Sequence, residues 1–294
     1  MNRSLQSFLA QEQQEVNAAL NKYIKQLNIP DRLRESVLYS IEAGGKRLRP
    51  ILMKLTCEGF GGDVKKIYPA AIALEMIHTY SLIHDDLPAM DDDTYRRGKL
   101  TNHKKFDEAT AILAGDGLLT NSFHVITSSD LYTDSEKLFI IDKLAKASGL
   151  EGMVAGQYMD MMAENQQITI EELESIHRLK TGRLISFAIE IGGFLANVSE
   201  EMLCKLKEFA EYQGIIFQIQ DDILDVEGEQ ELIGKQVGSD INNDKSTYPS
   251  ILGLQGAKHY KQQYVNQSNE CLTALDLINA NIAILAQYLA DRNQ

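Results

Sequence analysis

Apolar side chains recur along most of the chain with the period of an α-helix. In residues 67–83 the apolar positions 67, 70, 71, 74 and 77 follow the i, i+3, i+4, i+7 pattern of one helix face. Strand-like alternation is scarce, and there are only five prolines, at positions 30, 50, 69, 88 and 249. The pattern predicts an all-α protein with helices near residues 4–27, 31–44, 50–60, 67–87, 105–128, 134–163, 171–195, 200–225, 247–254 and 257–291.

The helical pattern continues without a change of composition that would mark a linker. The chain has 294 residues, of which 44% are hydrophobic, and this is enough for a large core. No repeat of about 35 residues indicates a solenoid. We therefore predict one domain over residues 1–294, built as a single large helical bundle.

Charge and polarity restrict the possible partners. The chain carries 29 Lys and Arg against 42 Asp and Glu, a net charge of −13, which argues against nucleic-acid binding. The N-terminal twenty residues are polar, unlike a signal peptide. The most apolar stretches, 68–84 and 184–198, are short and each contains a Glu, so we expect a cytoplasmic protein without membrane insertion.

The first acidic cluster places Asp85, Asp86 and Asp91–Asp93 directly after an apolar helix. Two unit charges about 4 Å apart cost on the order of 4 kcal/mol at an effective dielectric of about 20. Mg²⁺ would offset this repulsion, because it binds hard carboxylate oxygens together with substrate phosphate. Pro88 should end the helix near Asp86 and let Asp91 fold back. The alternative is a solvated acidic loop.

The second acidic cluster is Asp221, Asp222 and Asp225, within a helix rich in isoleucine. Asp221 and Asp225 are four residues apart and share one helix face. Carboxylates in such an apolar setting need a paired charge or a metal ion. Two clusters in one helical bundle predict a metal site between facing helices.

Basic residues stand close to both acidic clusters. A Gly pair precedes three cations in the sequence GGKRLRP, and Arg is suited to bidentate phosphate contacts. Further cations follow the first cluster or lie near a Gly, and these are Arg96, Arg97, Lys99, Lys180, Lys235 and Lys245. Each alone could be a surface charge, but cations beside a metal site are what a diphosphate requires.

These motifs together resemble the short-chain trans-prenyl diphosphate synthases. The resemblance rests on DDLPAMD followed by RRG, DDILD preceded by FQIQ, GGKRLRP and KTG, and it extends from about residue 33 to 254. Two extra residues in the first motif, Pro88 and Ala89, match the bacterial farnesyl diphosphate synthase type. The resemblance implies an isoprenoid synthase-like bundle around a central cavity, and a homodimer.

The resemblance also implies the reaction and its metal. An allylic diphosphate, dimethylallyl or geranyl, ionises, and isopentenyl diphosphate attacks the allylic cation and loses a proton. Two to three Mg²⁺ ions, or Mn²⁺, would assist. The implied metal site consists of Asp85 and Asp91 with Asp86 in support, and of Asp221 with Asp222 and Asp225.

The remaining implied residues hold the substrates and set product length. Lys46, Arg49, His78 and Arg97 would bind isopentenyl diphosphate, and Arg96, Lys180 and Lys235 the allylic diphosphate. Thr181, Gln218 and the Lys180 carbonyl would stabilise the cation by oriented dipoles. Tyr80, with the small Ser81 beside it, would form the floor that stops elongation at fifteen carbons.

Several alternatives fit part of the pattern. A geranylgeranyl diphosphate synthase and a non-catalytic subunit of a heteromeric prenyl synthase share the fold, although such subunits typically lose an aspartate motif. A terpene cyclase would not need GGKRLRP. A His-Asp phosphohydrolase would explain the pair His84-Asp85, but no distal His ligands match and the basic patches would have no role.

Overall fold

The structure, a computed structural model, describes residues 3–227 and 246–292. Helices dominate these residues, and the prediction of an all-α protein is confirmed. The chain divides into two compact units, Met1–Lys54 with Val64–Asp142, and Leu55–Asp63 with Lys143–Gln294. That residues 1–294 form one domain around a central cavity stays a prediction.

The first unit is built around α4, with α6 as its principal packing partner. Its helices are α1 Arg3–Gln26, α2 Asp31–Ile41, α4 Ile67–Asp85, α5 Asn102–Lys105 and α6 Glu108–Thr127, and α3 Leu48–Gly59 and α7 Asp134–Ser148 begin in it. A 3₁₀ turn, Val64–Lys66, precedes α4, and a short hairpin joins β1 Tyr95–Arg96 to β2 Lys99–Leu100.

Helix α4 is buried on all faces rather than on one. The predicted stripe at 67, 70, 71, 74 and 77 is buried, and so are Ile72, Ala73 and Met76 between its members. A helix that is apolar all round packs in the interior. Glu75 is also buried, at 2% exposure, and pairs with Arg47.

The second unit packs α11 against α10 and α12. Its helices are α8 Met153–Ala163, α9 Ile170–His177, α10 Arg183–Leu195, α11 Glu200–Glu227, α12 Tyr248–Ala274 and α13 Asn281–Asp291. Leu173, Ile215, Ile219, Ile223 and Tyr248 form a buried cluster. This cluster holds one face of α11, and the same helix bears the second aspartate cluster.

Three predicted helices are interrupted where the pattern alone predicted continuity. The segment 134–163 breaks at Gly149–Gly152, where a Cβ on Gly152 would lie 2.2 Å from the carbonyl oxygen of Ala147. The segment 171–195 begins at a capping box of Thr169 and Glu172 and contains a π-helical turn, Arg178–Gly182. The predicted segments 247–254 and 257–291 are divided at a different place. Helix α12 runs from Tyr248 to Ala274 with a kink at Gly253, and α13 runs from Asn281 to Asp291.

The hairpin is an addition to the predicted fold. Its turn is Arg97-Gly98, and both residues have positive φ, 53° and 76°. Positive φ at both central residues gives a two-residue turn the backbone twist that matches the twist of the flanking strands. None of the helices among residues 3–227 and 246–292 combines the length and apolar character needed to span a membrane.

Candidate active site

The first aspartate cluster folds back on the end of α4, as predicted from Pro88. The helix ends at Asp85, and the backbone N–H of Asp91 donates to the carbonyl oxygen of Asp85 at 2.9 Å. Asp91 is exposed and Asp85 half-buried. The loop therefore brings these two residues together at one helix end.

Asp86 differs from its neighbours because it is buried and paired. Arg96 Nε donates to its Oδ1 at 2.6 Å, and Arg96 Nη2 lies 2.5 Å from the same oxygen in an ion pair. Burial raises the pKa of the Asp86 carboxyl, and the hydrogen bond and charge of Arg96 oppose this rise. For Arg96 burial lowers the pKa, but the hydrogen bond that it donates to Asp86 and the charges of the neighbouring aspartates together outweigh burial, and the net shift is upward. The pair fixes Arg96 beside the cluster.

The donor set of this cluster suits a cation that arrives with its substrate. No three His, Cys, Asp or Glu side chains converge into a complete metal site within residues 3–227 and 246–292. Mg²⁺ commonly uses only one or two carboxylates and takes its other ligands from water and substrate phosphate. The half-buried Asp85 and the exposed Asp91 therefore fit Mg²⁺.

The GGKRLRP motif forms a loop, residues 44–47, that leads into the first residues of α3; residues 44–49 are here called the cationic loop. Gly44, Gly45 and Arg47 have positive φ, 97°, 133° and 51°. The Arg97 guanidinium donates to the carbonyl oxygen of Gly44 and lies so close to Gly45 that a Cβ there would be 2.6 Å from its Nη1. Glycine is thus required at position 45 for Arg97 to lie against the loop.

His78 lies among the cations of this loop. Burial, and then the charges of Arg49 and Arg97, hold the pKa of His78 well below its usual value. The imidazole is therefore neutral at pH 7. It can donate a hydrogen bond to a phosphate oxygen without adding to the repulsion among the arginines.

Tyr80 and Ser81 lie one helical turn or more before Asp85. Tyr80 is 6% exposed, and its ring centroid is 5.8 Å from that of His84. Burial, and to a smaller extent the charge of Asp85, raises the pKa of Tyr80 to about 12. Ser81 donates to the carbonyl oxygen of His78 at 3.0 Å. The Tyr80 ring is thus a fixed, neutral group beneath the first aspartate.

His84 has a structural role. Its Nε2 lies 3.1 Å from the carbonyl oxygen of Ile112, and a Cβ on Gly115 would lie 2.1 Å from the same nitrogen. The imidazole therefore joins α4 to α6.

In the second unit, Lys180 and Thr181 lie on the π-helical turn, a feature that often marks functional sites. Two glycines make room for it. A Cβ on Gly156 would lie 2.2 Å from the backbone nitrogen of Lys180, and a Cβ on Gly214 would lie 2.8 Å from the Cα of Gly182. Close packing against α8 and α11 thus fixes the turn.

A hydrogen-bonded chain runs from the π-helical turn into the second aspartate cluster. Thr181 Oγ1 donates to Gln218 Oε1 at 3.2 Å, and Gln218 Nε2 donates to Asp222 Oδ1 at 3.1 Å. The backbone N–H of Tyr248 donates to Asp222 Oδ2 at 3.0 Å. The chain orients the Gln218 amide and leaves the Thr181 oxygen able to accept or to face a positive charge.

The three carboxylates of the second cluster have different surroundings. Asp222 and Asp225 are buried, whereas the Asp221 side chain is 41% exposed. Arg292 donates to Asp221 Oδ1 at 2.5 Å, and its guanidinium lies 4.0 Å from the centroid of the Phe217 ring. Asp221 is thus the open carboxylate of this cluster. Lys235, predicted to bind diphosphate, lies outside the described residues.

Residues 30–279 match the family described as polyprenyl synthetase. The chain belongs to the polyprenyl synthetase family. It is 50% identical to the farnesyl diphosphate synthase of Bacillus subtilis (strain 168), with 100% of both chains covered. It is 51% identical to that of Micrococcus luteus, over 94% of this chain and 93% of that protein. It is 42% identical to the chloroplastic geranylgeranyl pyrophosphate synthase of Catharanthus roseus, over 95% of this chain and 78% of that protein.

Solved structures of polyprenyl synthetase type share the fold. The geranyltransferase of Legionella pneumophila matches with a TM-score of 0.85 at 34% identity, over 98% of this chain and 97% of that one. The geranyltransferase of Helicobacter pylori, complexed with magnesium and isoprenyl diphosphate, matches with a TM-score of 0.79 at 31% identity. The match covers 96% of this chain and 94% of that one. The resemblance to prenyl diphosphate synthases is thus confirmed, and the phosphohydrolase and terpene cyclase alternatives are set aside.

Three polar residues of this polyprenyl synthetase were not predicted from its sequence. Asp160 accepts from Lys180 Nζ at 2.5 Å, Arg292 pairs with Asp221, and both polar atoms of the Gln157 amide are buried without a hydrogen-bond partner among the described residues. Gln157 and Asp160 could have been found as the polar pair at i, i+3 on the apolar helix α8. No pattern distinguishes Arg292 in the polar C-terminus.

Proposed function

We propose that the protein is a farnesyl diphosphate synthase. It joins isopentenyl diphosphate to dimethylallyl diphosphate, and then to geranyl diphosphate, to give (2E,6E)-farnesyl diphosphate. The observation that carries this proposal is the presence of both aspartate clusters, each with cations beside it, in a polyprenyl synthetase. Identities of 50% and 51% to two farnesyl diphosphate synthases, against 42% to the geranylgeranyl pyrophosphate synthase, favour the fifteen-carbon product.

We propose that two to three Mg²⁺ ions, or Mn²⁺, bind at these clusters. Asp85 and Asp91 would hold the ions at the first cluster, with Asp86 in support, and Asp221 at the second, with Asp222 and Asp225 in support. When bound, these cations act as Lewis acids on the leaving diphosphate. The most exposed of these side chains, Asp91 and Asp221, would be the ligands most accessible from solvent.

The cations of the chain itself bind the two diphosphates. Lys46, Arg49 and Arg97, with the neutral His78, hold isopentenyl diphosphate through charge-assisted hydrogen bonds. Lys180 and Arg96, with Lys235, neutralise the allylic diphosphate. Asp86 and Asp160 orient Arg96 and Lys180, since each carboxylate accepts directly from its cation.

The reaction breaks the C1–O bond of the allylic substrate, and the electron pair leaves with diphosphate. The double bond of isopentenyl diphosphate then attacks C1, and a proton is lost to the departed diphosphate. The hydrogen-bonded chain of Thr181 and Gln218, with the Lys180 carbonyl, offers the cation oriented dipoles that do not trap it covalently.

We propose that the enzyme is a homodimer. Helix α6 exposes Ile112 and Leu113, at 42% and 59%, next to each other. Large exposed apolar side chains grouped on one surface are typical of sites of association. A second copy of the chain would bury this surface.

The proposed function is tested by incubating the purified chain with radiolabelled isopentenyl diphosphate, geranyl diphosphate and Mg²⁺. We expect an extractable fifteen-carbon product whose formation stops when EDTA removes the cation. A parallel reaction without geranyl diphosphate controls for label carried through the extraction. A chain that elongates nothing would support the alternative of a non-catalytic subunit of a heteromeric synthase.

Tyr80 provides a test of product length. We expect Tyr80→Ala to give products longer than fifteen carbons, because removal of a buried ring opens space beneath Asp85. Tyr80→Phe keeps the ring and should still give a fifteen-carbon product. Chromatography of the extracted, dephosphorylated products measures both. An unchanged chain length in Tyr80→Ala would remove Tyr80 as the floor.

A further inference from the structure

Arg47 lies between the two predicted substrate-binding residues of the cationic loop but points away from them. Its side chain is 2% exposed, whereas Lys46 is exposed. The guanidinium donates from Nη1 to Glu75 Oε2 at 2.6 Å, from Nη2 to the carbonyl oxygen of Ile41 at 2.5 Å, and from Nε to Asn17 Oδ1 at 2.8 Å. All three nitrogens are directed into the protein, so this arginine is not placed to bind a substrate phosphate.

The backbone of the loop requires an anchor. Arg47 has φ of 51°, a left-handed conformation that costs a non-glycine residue free energy unless its surroundings enforce it. It follows two glycines with positive φ, Gly44 and Gly45, which have little conformational preference of their own. The Gly44 and Gly45 carbonyl oxygens accept from Arg97 and from Gln13 Nε2, and the inward bonds of Arg47 add the buried side-chain anchor of this segment.

Glu75 supplies the negative charge beneath a crowded cationic cluster. Its side chain is 2% exposed on α4, three residues before His78 and thus near the same helix face. Arg47, Arg49, Arg96 and Arg97 all act on His78. The Glu75 charge favours the protonated form of Arg97. The carboxylate therefore offsets repulsion that would otherwise drive the cations apart before a diphosphate binds.

We propose that Arg47 and Glu75 are a pair of positioning residues that hold the cationic loop in the conformation that binds isopentenyl diphosphate. Neither residue contacts the substrate. Their effect passes through Lys46 and Arg49 on the loop, and through Arg97, which lies against Gly45. The proposal rests on the proposed function of the loop and adds two residues to it.

The test replaces the pair without leaving a buried charge. Single removal of either partner would leave the other charge uncompensated, whereas apolar residues of similar volume are often tolerated. We expect the double variant Arg47→Met/Glu75→Met to keep its thermal midpoint within a few degrees of wild type. Its KM for isopentenyl diphosphate should rise about tenfold or more, while kcat and the KM for geranyl diphosphate change less than about threefold.

A second ion pair of the same unit provides a matched control. Lys54 and Glu12 lie 2.6 Å apart and are largely buried, but they do not belong to the cationic loop. Lys54→Met/Glu12→Met should leave the KM for isopentenyl diphosphate unchanged. A folded Arg47→Met/Glu75→Met with an unchanged KM would overturn the proposal. If that variant does not fold, Arg47→Lys decides, since it keeps the charge but loses the guanidinium fork, and an unchanged KM again overturns the proposal.

Hydrogen exchange separates this proposal from the proposed function. In the double variant, or in Arg47→Lys if the double variant is unfolded, amides of residues 44–49 should exchange at least about tenfold faster than in wild type, without any substrate. Those of α6 should not change. Faster exchange in the variant, together with a wild-type chain that elongates nothing, would contradict the function and support the anchor. Unchanged exchange would contradict the anchor whatever the activity.

Discussion

Exchange of Asp85 for alanine is expected to lower kcat by about a thousandfold while the protein stays folded. The proposed role of Asp85 is to hold a cation whose stabilisation of the leaving diphosphate amounts to several kcal/mol, and each 1.36 kcal/mol corresponds to a factor of ten. Asp85 is half-buried at the end of α4, where the backbone already turns away from the helix. Its loss should therefore cost the fold little.

Initial rates under saturating substrate, together with thermal melts by circular dichroism, measure the two effects. Asp31→Ala is the matched control, because the Asp31 side chain is 91% exposed and its surface ion pair with Arg34 contributes little to stability. A structural role of Asp85 would instead appear as a lowered melting temperature with kcat retained in the folded fraction.

Asp221→Ala should behave in the same way, since Asp221 is the open carboxylate of the second cluster. Here Arg292 loses its carboxylate partner and keeps its bond to the Phe217 carbonyl oxygen, so part of any change in stability would come from the guanidinium rather than from the cation site. Arg292→Gln, measured alongside, separates the two contributions. We expect it to retain kcat within about tenfold, whereas an equal loss in both variants would assign the effect of Asp221→Ala to the ion pair.

The second large effect is expected for Gly156→Ala. The added methyl group would lie 2.2 Å from the backbone nitrogen of Lys180 and 2.6 Å from its Cα, so either α8 or the π-helical turn must move. Overpacking of this kind destabilises a protein by about 1–3 kcal/mol. A displacement of about 1 Å at groups that must be aligned with a reacting substrate costs about a hundredfold in rate.

Gly117→Ala is the control for this substitution. Gly117 is an exposed helical glycine on α6 with no atom within 4 Å of its Cβ position, so alanine there should stabilise the helix by up to about 1 kcal/mol. Urea unfolding and steady-state rates report both variants. If Gly156→Ala keeps full kcat, the geometry of the π-helical turn is not what positions Lys180 and Thr181.

The contrast between α4 and the 134–163 segment shows what sequence periodicity can predict. Helix α4 was predicted over 67–87 and is observed over Ile67–Asp85, because Pro88 supplies a local stop. The predicted helix 134–163 is interrupted at Gly149–Gly152, where a Cβ on Gly149 or on Gly152 would lie 2.6 Å or 2.2 Å from a carbonyl oxygen of the preceding turn. A steric limit of this kind depends on backbone positions, which an apolar pattern does not contain.

The candidate site also combines features that the sequence predicts with features that depend on tertiary contacts. The motifs predicted that Asp91 folds back toward Asp85, since a proline fixes where the helix ends. They did not predict that Arg47 turns inward while Lys46 stays exposed, because the left-handed φ of Arg47 follows from its tertiary anchors Asn17 and Glu75. Likewise the π-helical turn requires Gly156 and Gly214, which are distant from it in sequence.

The most direct test of the central claim is the length of the product made by the wild-type chain. The purified protein is given dimethylallyl diphosphate, an excess of labelled isopentenyl diphosphate and Mg²⁺, and the reaction is followed until the allylic substrate is exhausted. We predict that fifteen-carbon farnesyl diphosphate accumulates as the final product, with geranyl diphosphate only as a transient. Accumulation of a twenty-carbon product, or no elongation at all, would contradict it.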